Sequence, residues 1–291
     1  MPDCQKDSQP RPRVQVGCQG WNYDDWVTPP ASERPIFYPR STRPEHMLEI
    51  YARAFETVEV DSTFYAAASD STYEGWAGRT PDGFTFALKL PREITHEESL
   101  RGERAARALS EFCRGARRLG SKLAAVLVQL PPQFEATREN LRALSEFLPL
   151  LPPDIRFAVE FRDPFWFEEE LLVPLSLHRH VSLALVEAPW VTRERVWRAA
   201  ATLLDTSDFV YVRWMGARDL TRFDEVQRPR DANLERWAAA IERLRERVPA
   251  VSTYFSNFYE GHAPASANKL KRLLGQPTTG PEELENQPSL F

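Results

Sequence analysis

The chain has 291 residues, of which 42% are hydrophobic and 27% are charged, and its formal net charge is −5. This composition is typical of a globular protein with a large core, and the acidic balance argues against a surface built for indiscriminate binding to a phosphate backbone. The three cysteines, the lack of an apolar signal segment and the lack of any run of about 20 apolar residues predict a cytoplasmic protein without disulfides or membrane spans.

Apolar runs bounded by turn residues predict eight buried strands. In chain order they begin at Val14, Thr57, Phe84, Ala124, Arg156, Val181, Phe209 and Val251. Nearly every gap between them contains a helical pattern, and strands that alternate with helices pair in parallel. Eight such units predict an α/β fold of one domain, a (β/α)8 TIM-type barrel. We expect the barrel to cover residues 13–274, with a flexible segment over residues 1–12 and a disordered tail over residues 275–291.

Polar and charged side chains follow six of these strands. They are Glu59 and Asp61 after the second strand, Lys89 after the third, Gln129 after the fourth, Glu160 and Arg162 after the fifth, Arg213 after the seventh and Asn257 after the eighth. Because TIM-type barrels hold their sites at the carboxyl ends of the strands, this pattern predicts a site there. We expect Glu59 or Glu160 to be a general acid or base, and Lys89 and Gln129 to stabilise developing charge. The alternative is a neutral hydrogen-bonded network that only plugs the barrel.

Metal ligands and cofactor motifs are scarce in the same loops. Only His96 and His262 fall there, too few for a metal centre of histidine and carboxylate ligands. A metal held by carboxylates alone is disfavoured, because Lys89 and two arginines compete for them. The sequence contains no P-loop, G-x-G-x-x-G or G-x-S-x-G motif. We therefore expect neither a metal nor an organic cofactor.

The segment after the eighth strand predicts a narrow helix start. Gly261 permits a tight turn, Pro264 suits the first helical turn, and Ala263 would leave free N–H groups accessible. With Arg162 and Arg213, this helix start is expected to bind an anion such as a phosphate. The alternative is a capped helix that packs on the sheet.

Aromatic residues also cluster in these loops. Tyr65 follows the second strand and Trp166 follows the fifth. Such residues either pack the barrel rim or stack on the bases and sugar rings of a ligand. Tyr65, Trp166 and His96 are therefore candidates for substrate binding.

Seven stretches of the sequence together resemble the YecE-like family, also called domain of unknown function 72. They are GCQGWNYDDW from Gly17, YARAFETVEVDSTFY from Tyr51, FTFALKLPREITHE from Phe84, VLVQLPPQF from Val126, AVEFRDPFWF from Ala158, YVRWMG from Tyr211 and YFSNFYEGHAPASANKL from Tyr254. The resemblance implies a TIM-type barrel and brings no established reaction. The recurrent residues of the family correspond here to Glu59, Ser62, Phe64, Tyr65, Lys89, His96, Gln129, Glu160, Arg162, Trp166, Arg213, Asn257 and Gly261. Asp61 and Ser256 depart from the asparagines that are usual in the family.

The chain ends in QPSLF, where two large apolar side chains follow a polar segment. The pentapeptide resembles the one by which many bacterial replication and repair proteins bind the DNA sliding clamp. Leu290 and Phe291 would fill an apolar cleft of the clamp, and Gln287 would make directional hydrogen bonds. The alternative is that the pentapeptide docks on this protein's own surface.

Two hypotheses of function follow from these patterns. The first is an enzyme that acts on a phosphate-bearing, nucleic-acid-derived substrate at the barrel mouth and is recruited to the sliding clamp. The second is a non-catalytic module that binds nucleic acid or protein through the same mouth.

Overall fold

A computed structural model describes residues 13–286 of the chain. Its strands are β1 (Arg13–Gln19), β2 (Thr57–Val60), β3 (Thr85–Lys89), β4 (Leu123–Gln129), β5 (Phe157–Glu160), β6 (Val181–Glu187), β7 (Val210–Trp214) and β8 (Ala250–Phe255). They pair in parallel in chain order, and β8 pairs with β1 to close the barrel. The predicted (β/α)8 barrel is confirmed.

Helices follow the strands and surround the barrel. Within the described residues they are α1 (Pro44–Ala54), α2 (Asp70–Gly78), α3 (Gly102–Ala116), α4 (Arg138–Phe147), α5 (Glu169–Ser176), α6 (Arg193–Leu203), α7 (Asp231–Leu244), α8 (Asn257–Glu260), α9 (Ala263–Leu273) and α10 (Pro281–Asn286). None of these helices has both the length and the apolar character that crossing a membrane requires.

The barrel interior is filled by small residues and aromatic rings. The apolar core inside it consists of Ala87, Ala125, Leu127, Ala158, Ala184, Phe209, Tyr211 and Tyr254. Alanines on β3 to β6 leave space for the rings of Tyr211 and Tyr254, whose centroids lie 4.9 Å apart. Since side chains alternate along a strand, the residue two positions after Tyr211, Arg213, also points inward, one layer nearer the mouth.

The opposite face of each strand packs against the helices. Trp214 of β7 stacks on Phe255 of β8 with ring centroids 4.2 Å apart, and Trp237 of α7 packs against Trp214 at 5.3 Å. All three side chains are fully buried. This outer layer is a continuous apolar core, which holds the strands rigid and so fixes the polar side chains at their ends.

The structure corrects the expectation of a disordered tail over residues 275–286. Gln276 Nε2 donates a hydrogen bond to the carbonyl oxygen of Val14 at 2.8 Å, and Asn268 Nδ2 donates to the carbonyl oxygen of Thr279 at 3.1 Å. Helix α10 then buries Leu284, which is only 1% exposed. The polar composition of this segment concealed one apolar anchor and a set of specific hydrogen bonds.

Shortening the anchor of α10 should destabilise the whole barrel. We expect Leu284→Ala to lower the free energy of unfolding by about 2 kcal/mol, because it removes buried apolar surface and leaves a cavity. Urea denaturation followed by circular dichroism measures the change. Glu283→Ala, an exposed position on the same helix, is the matched control. Equal stability of the two variants would contradict the packing of α10.

Candidate functional site

A buried ionic cluster lies at the carboxyl end of the barrel, directly above the tyrosine layer. Arg213 of β7 donates from Nε and Nη2 to the two carboxylate oxygens of Glu59 on β2, at 2.9 and 2.6 Å. Its Nη1 donates to Glu160 of β5, which is separated from β7 by β6. Tyr211 completes the shell of Glu59 by donating its hydroxyl hydrogen at 2.6 Å. We call Arg213, Glu59, Glu160 and Tyr211 the buried cluster.

The two carboxylates of the buried cluster differ in their electrostatic environment. Burial raises the pKa of Glu59, although Arg213 acts in the opposite direction. Burial also opposes ionisation of Glu160, but Arg162 and Arg213 together hold its pKa below the usual value. Arg162 makes the difference, since its Nε lies 2.6 Å from Glu160 Oε1. Glu160 is thus the more firmly ionised of the two.

A cavity of about 330 Å3 opens above the buried cluster. It is lined by Gln19, Tyr23, Asp61, Lys89, Arg162, Pro189, Trp190, Arg213, Met215, Gly216, Ala217, Arg218, Ser256 and Phe258. Four of these side chains are cations and one is a carboxylate. The cavity is therefore suited to an anionic ligand.

Lys89 contributes an amino group whose partners are distant. Its Nζ lies 3.8 Å from Asp61 Oδ1 and 4.1 Å from the centre of the Phe64 ring. No hydrogen bond of this Nζ is found within residues 13–286, and Asp61 Oδ1 is likewise buried without a hydrogen-bond donor there. Burial lowers the pKa of Lys89, Asp61 opposes this effect, and the Arg213 guanidinium adds to it. Both groups retain the capacity to bind a ligand or exchange a proton.

Arg162 contacts three side chains, Trp190, Gln129 and Glu160, and also lines the cavity. Its guanidinium lies 4.1 Å from the ring centre of Trp190, and its Nη2 donates to Gln129 Oε1 at 3.3 Å. Its Nε forms an ion pair with Glu160. Such pre-orientation of a planar cation favours binding of a carboxylate or phosphate group. Gln129 therefore lies at the site as an orienting group for Arg162.

The structure places the two glutamates below the cavity. Both Glu59 and Glu160 are completely buried, and neither lines the cavity. They contact Arg213 and, for Glu160, Arg162, so that a ligand in the cavity meets the cations first. Their position differs from the expected one of a general acid or base exposed to substrate.

Two aromatic candidates lie away from the cavity. Trp166 is fully buried, stacks between Phe134 and Phe161, and donates its indole hydrogen to the carbonyl oxygen of Phe134 at 2.7 Å. It packs the rim and does not face a ligand. Tyr65 is 80% exposed and borders a separate surface depression.

His96 lies beside the cavity without lining it. Its ring packs edge-on against Phe64 at 4.9 Å, and its Nδ1 is 2.8 Å from the hydroxyl of Thr95. Burial, followed by the charges of Lys89 and nearby arginines, lowers its pKa to about 4. His96 is therefore neutral at physiological pH.

The expected anion seat at the start of α9 is occupied by the protein itself. Ala263 donates its backbone N–H to Asn257 Oδ1 at 3.0 Å, and the same oxygen accepts the indole hydrogen of Trp26 at 3.2 Å. Ala263 is fully buried, and a side chain at Gly261 would lie 2.6 Å from the carbonyl oxygen of Glu225. This geometry favours the alternative of a capped helix that packs on the sheet.

Strand parity explains the displacement of Asn257. Tyr254 points into the barrel, so Ser256 also points inward and Asn257 points outward beneath α9. Ser256 lines the cavity in the place that the sequence interpretation gave to Asn257.

Several lining residues were absent from the sequence-based site. Trp190 and Pro189 follow β6, one of the two strands for which no polar tip was identified. Met215 follows β7, where Gly216 allows close approach, because a side chain there would lie 1.7 Å from the carbonyl oxygen of Phe258. Their positions in the sequence could have identified these residues, because they directly follow predicted strands.

Metal ligands do not converge in the part of the chain that the structure describes. No group of three histidine, cysteine, aspartate or glutamate side chains there has the arrangement to bind a metal ion. The carboxylates Glu59 and Glu160 contact arginine instead.

Comparisons with known proteins agree with the fold. The profile of the family described as "Protein of unknown function DUF72" matches residues 15–289. The UPF0759 protein YunF of Bacillus subtilis is 24% identical over 280 residues, which cover 90% of this chain and 94% of that protein. The UPF0759 protein YecE of Escherichia coli is 31% identical over 169 residues, and the match spans 57% of this chain but only 56% of the relative's length.

A crystal structure gives the same result for the architecture. A DUF72 family protein from Thermotoga maritima superposes with a TM-score of 0.71 at 24% identity, covering 90% of this chain and 99% of the other. At this identity the similarity shows the barrel fold alone.

Removing the central arginine should destabilise the protein strongly. We expect Arg213→Met to lower the free energy of unfolding by about 3–5 kcal/mol, because Glu59 loses its cation and remains buried. Chemical denaturation measures the loss. Arg142→Met, which breaks an exposed pair with Glu146 on α4, should cost less than about 1 kcal/mol. Adding Glu59→Gln to Arg213→Met should recover part of the loss. A cost no larger than that of the control would contradict the role of the buried cluster.

Proposed function

The chain belongs to the DUF72 family, and we propose that it is an enzyme that binds a small phosphate-bearing molecule in the barrel-mouth cavity and transfers a proton to or from it. One observation carries the proposal. Lys89 Nζ and Asp61 Oδ1 lie 3.8 Å apart at the cavity, without hydrogen-bond partners in residues 13–286, next to the oriented guanidinium of Arg162.

Charge and size support a small anionic ligand. Lys89, Arg162 and Arg218 line the cavity, whereas Glu59 and Glu160 are enclosed beneath Arg213. The volume of about 330 Å3 falls at the lower end of the range of small-molecule sites, roughly 300–1,000 Å3. A cavity of this size accommodates a single phosphorylated sugar or nucleotide rather than a nucleic acid strand.

The aromatic wall supports a ligand that carries a ring. Trp190, Tyr23 and Phe258 border the cavity together with the cations. A base or sugar ring could stack on one of these rings while its phosphate binds the guanidinium groups. This combination keeps the nucleic-acid-derived substrate of the sequence hypothesis within the proposal.

The proposed roles differ from those that the sequence analysis assigned to the charged residues at the strand ends. Arg162 and Arg218 bind the phosphate, and Lys89 with Asp61 forms the proton-transfer pair. Glu160 and Gln129 orient Arg162, and Glu59 orients Arg213. Both glutamates thus act as positioning residues in this proposal.

Binding of inorganic phosphate tests the anion site directly. In isothermal titration calorimetry, Arg162→Gln and Lys89→Met should each weaken affinity by about tenfold, since each removes one charge-assisted contact. Affinity should also fall as the pH rises through the lowered pKa of Lys89, which places the fall below the pH typical of lysine. Lys89→Met should lose this pH dependence.

The exposed substitution Arg142→Gln serves as the binding control, and equal affinities of all variants would refute the anion site. The reaction is tested separately, with the ligand that co-purifies and is identified by mass spectrometry. Asp61→Asn should then lower kcat by at least about 100-fold while it leaves KM nearly unchanged. Phosphate binding without any turnover would favour the alternative of a non-catalytic binding module.

The sliding-clamp contact stays a proposal of its own, because Gln287, Leu290 and Phe291 lie outside the described residues. Helix α10 ends at Asn286, immediately before the pentapeptide, and the buried Leu284 fixes the point from which the pentapeptide would reach a partner.

Replacing the two large apolar residues at the end of the chain distinguishes clamp binding from a contribution to stability. We expect Leu290→Ala/Phe291→Ala to abolish co-elution with a bacterial sliding clamp and to leave thermal stability unchanged. The measurements are size-exclusion chromatography with purified clamp and differential scanning fluorimetry. Gln276→Ala, which removes an internal hydrogen bond, should lower thermal stability and leave clamp binding unchanged. Lowered stability of Leu290→Ala/Phe291→Ala without loss of clamp binding would indicate an internal latch instead.

A further inference from the structure

A second concavity lies on the outside of the barrel and shares no lining residue with the mouth cavity. Helices α6 and α7 diverge there and leave a groove of about 490 Å3. It is lined by Arg193, Trp197, Ala200, Ala201, Leu204, Arg236, Ala239, Ala240, Arg243, Leu244 and Arg247. We call it the α6–α7 groove.

The floor of the groove is apolar because both helices place small residues on the facing sides. Ala200 and Ala201 of α6 lie opposite Ala239 and Ala240 of α7 and leave the space between them unfilled. Trp197 bounds this space where it contacts Trp237 across the two helices, with ring centroids 4.7 Å apart. Large side chains of another molecule could fill the space that the alanines leave.

The rim of the groove is uniformly basic. Arg193 pairs with Glu187, and Arg247 pairs with Asp205. Arg236 and Arg243 are exposed, and neither forms an ion pair within residues 13–286. They lie seven positions apart on α7, two helical turns, so both point along the same edge.

We propose that the α6–α7 groove binds an acidic amphipathic helix of a partner protein. Leucine-like side chains of that helix would enter between the alanines, and its carboxylates would pair with Arg236 and Arg243. Charge complementarity identifies the occupant, because an unneutralised pair of arginines beside an apolar floor selects acidic over basic amphipathic segments. The site is independent of the mouth cavity and of the function proposed for it.

A synthetic helix tests the proposal. The probe is a fluorescein-labelled peptide of about 15 residues, with leucine and glutamate at helical spacing, titrated with the full-length protein. Fluorescence anisotropy should show saturable binding that weakens as salt is added. Arg236→Glu/Arg243→Glu should reduce the affinity at least about tenfold, and Ala239→Trp should reduce it by filling the floor.

The matched control is Arg198→Glu, which reverses an exposed charge on α6 outside the groove lining. It should leave the affinity unchanged, and circular dichroism should confirm that every variant is folded. Absence of binding, or equal loss in Arg198→Glu, would overturn the proposal. So would equal binding of a peptide in which lysine replaces every glutamate, or of a single-stranded oligonucleotide. Sedimentation showing a dimer that Ala239→Trp dissociates would assign the groove to a second copy of the chain instead.

Discussion

The pairing of Arg213 with two buried glutamates is the interaction on which the mouth of this barrel depends. It joins β7 to β2 and β5, strands that are distant in sequence and lie on different sides of the barrel. Because all three side chains are removed from water, each needs the others to remain ionised at an acceptable free energy. The cluster therefore fixes the orientation of the strand ends and closes the barrel beneath the cavity.

This arrangement divides the charges of the mouth into two layers. The lower layer is paired internally, because Arg213 donates to Glu59 and Glu160 and Arg162 forms an ion pair with Glu160. The upper layer contains Lys89 and Asp61, whose side-chain Nζ and Oδ1 atoms have no hydrogen-bond partner in residues 13–286. Protein groups that keep unused hydrogen-bonding capacity in a partly buried position are well placed to act on a ligand. A paired layer beneath side chains with unused hydrogen-bonding capacity is the feature that supports the proposed site over a polar plug.

The outside of the barrel carries features that the mouth does not require. Helix α10 packs against α1 and buries Leu284, whereas the α6–α7 groove remains open. Both features arise from the size of side chains between neighbouring elements. A leucine fills the gap at one place, and alanines such as Ala200 and Ala239 leave it unfilled at the other.

The sequence alone determined the barrel and its polar ring. Hydrophobic periodicity identifies strands because burial on both faces demands apolar runs, and the two-residue repeat predicts that Glu59, Lys89 and Arg213 converge at one end. These inferences depend only on neighbouring residues in the sequence, so they can be made before the fold is known. The composition of the tail, by contrast, predicted disorder over residues that Leu284 in fact anchors.

Only the tertiary structure decided which of these groups face the cavity. The depth of Glu59 below Arg213, the capping of Ala263 by Asn257 and the exposure of Lys89 to the cavity depend on contacts between distant segments. A sequence pattern gives the direction in which a side chain leaves its strand. It does not give the partner that the side chain meets, because that partner is set by closure of the barrel and by the packing of its loops.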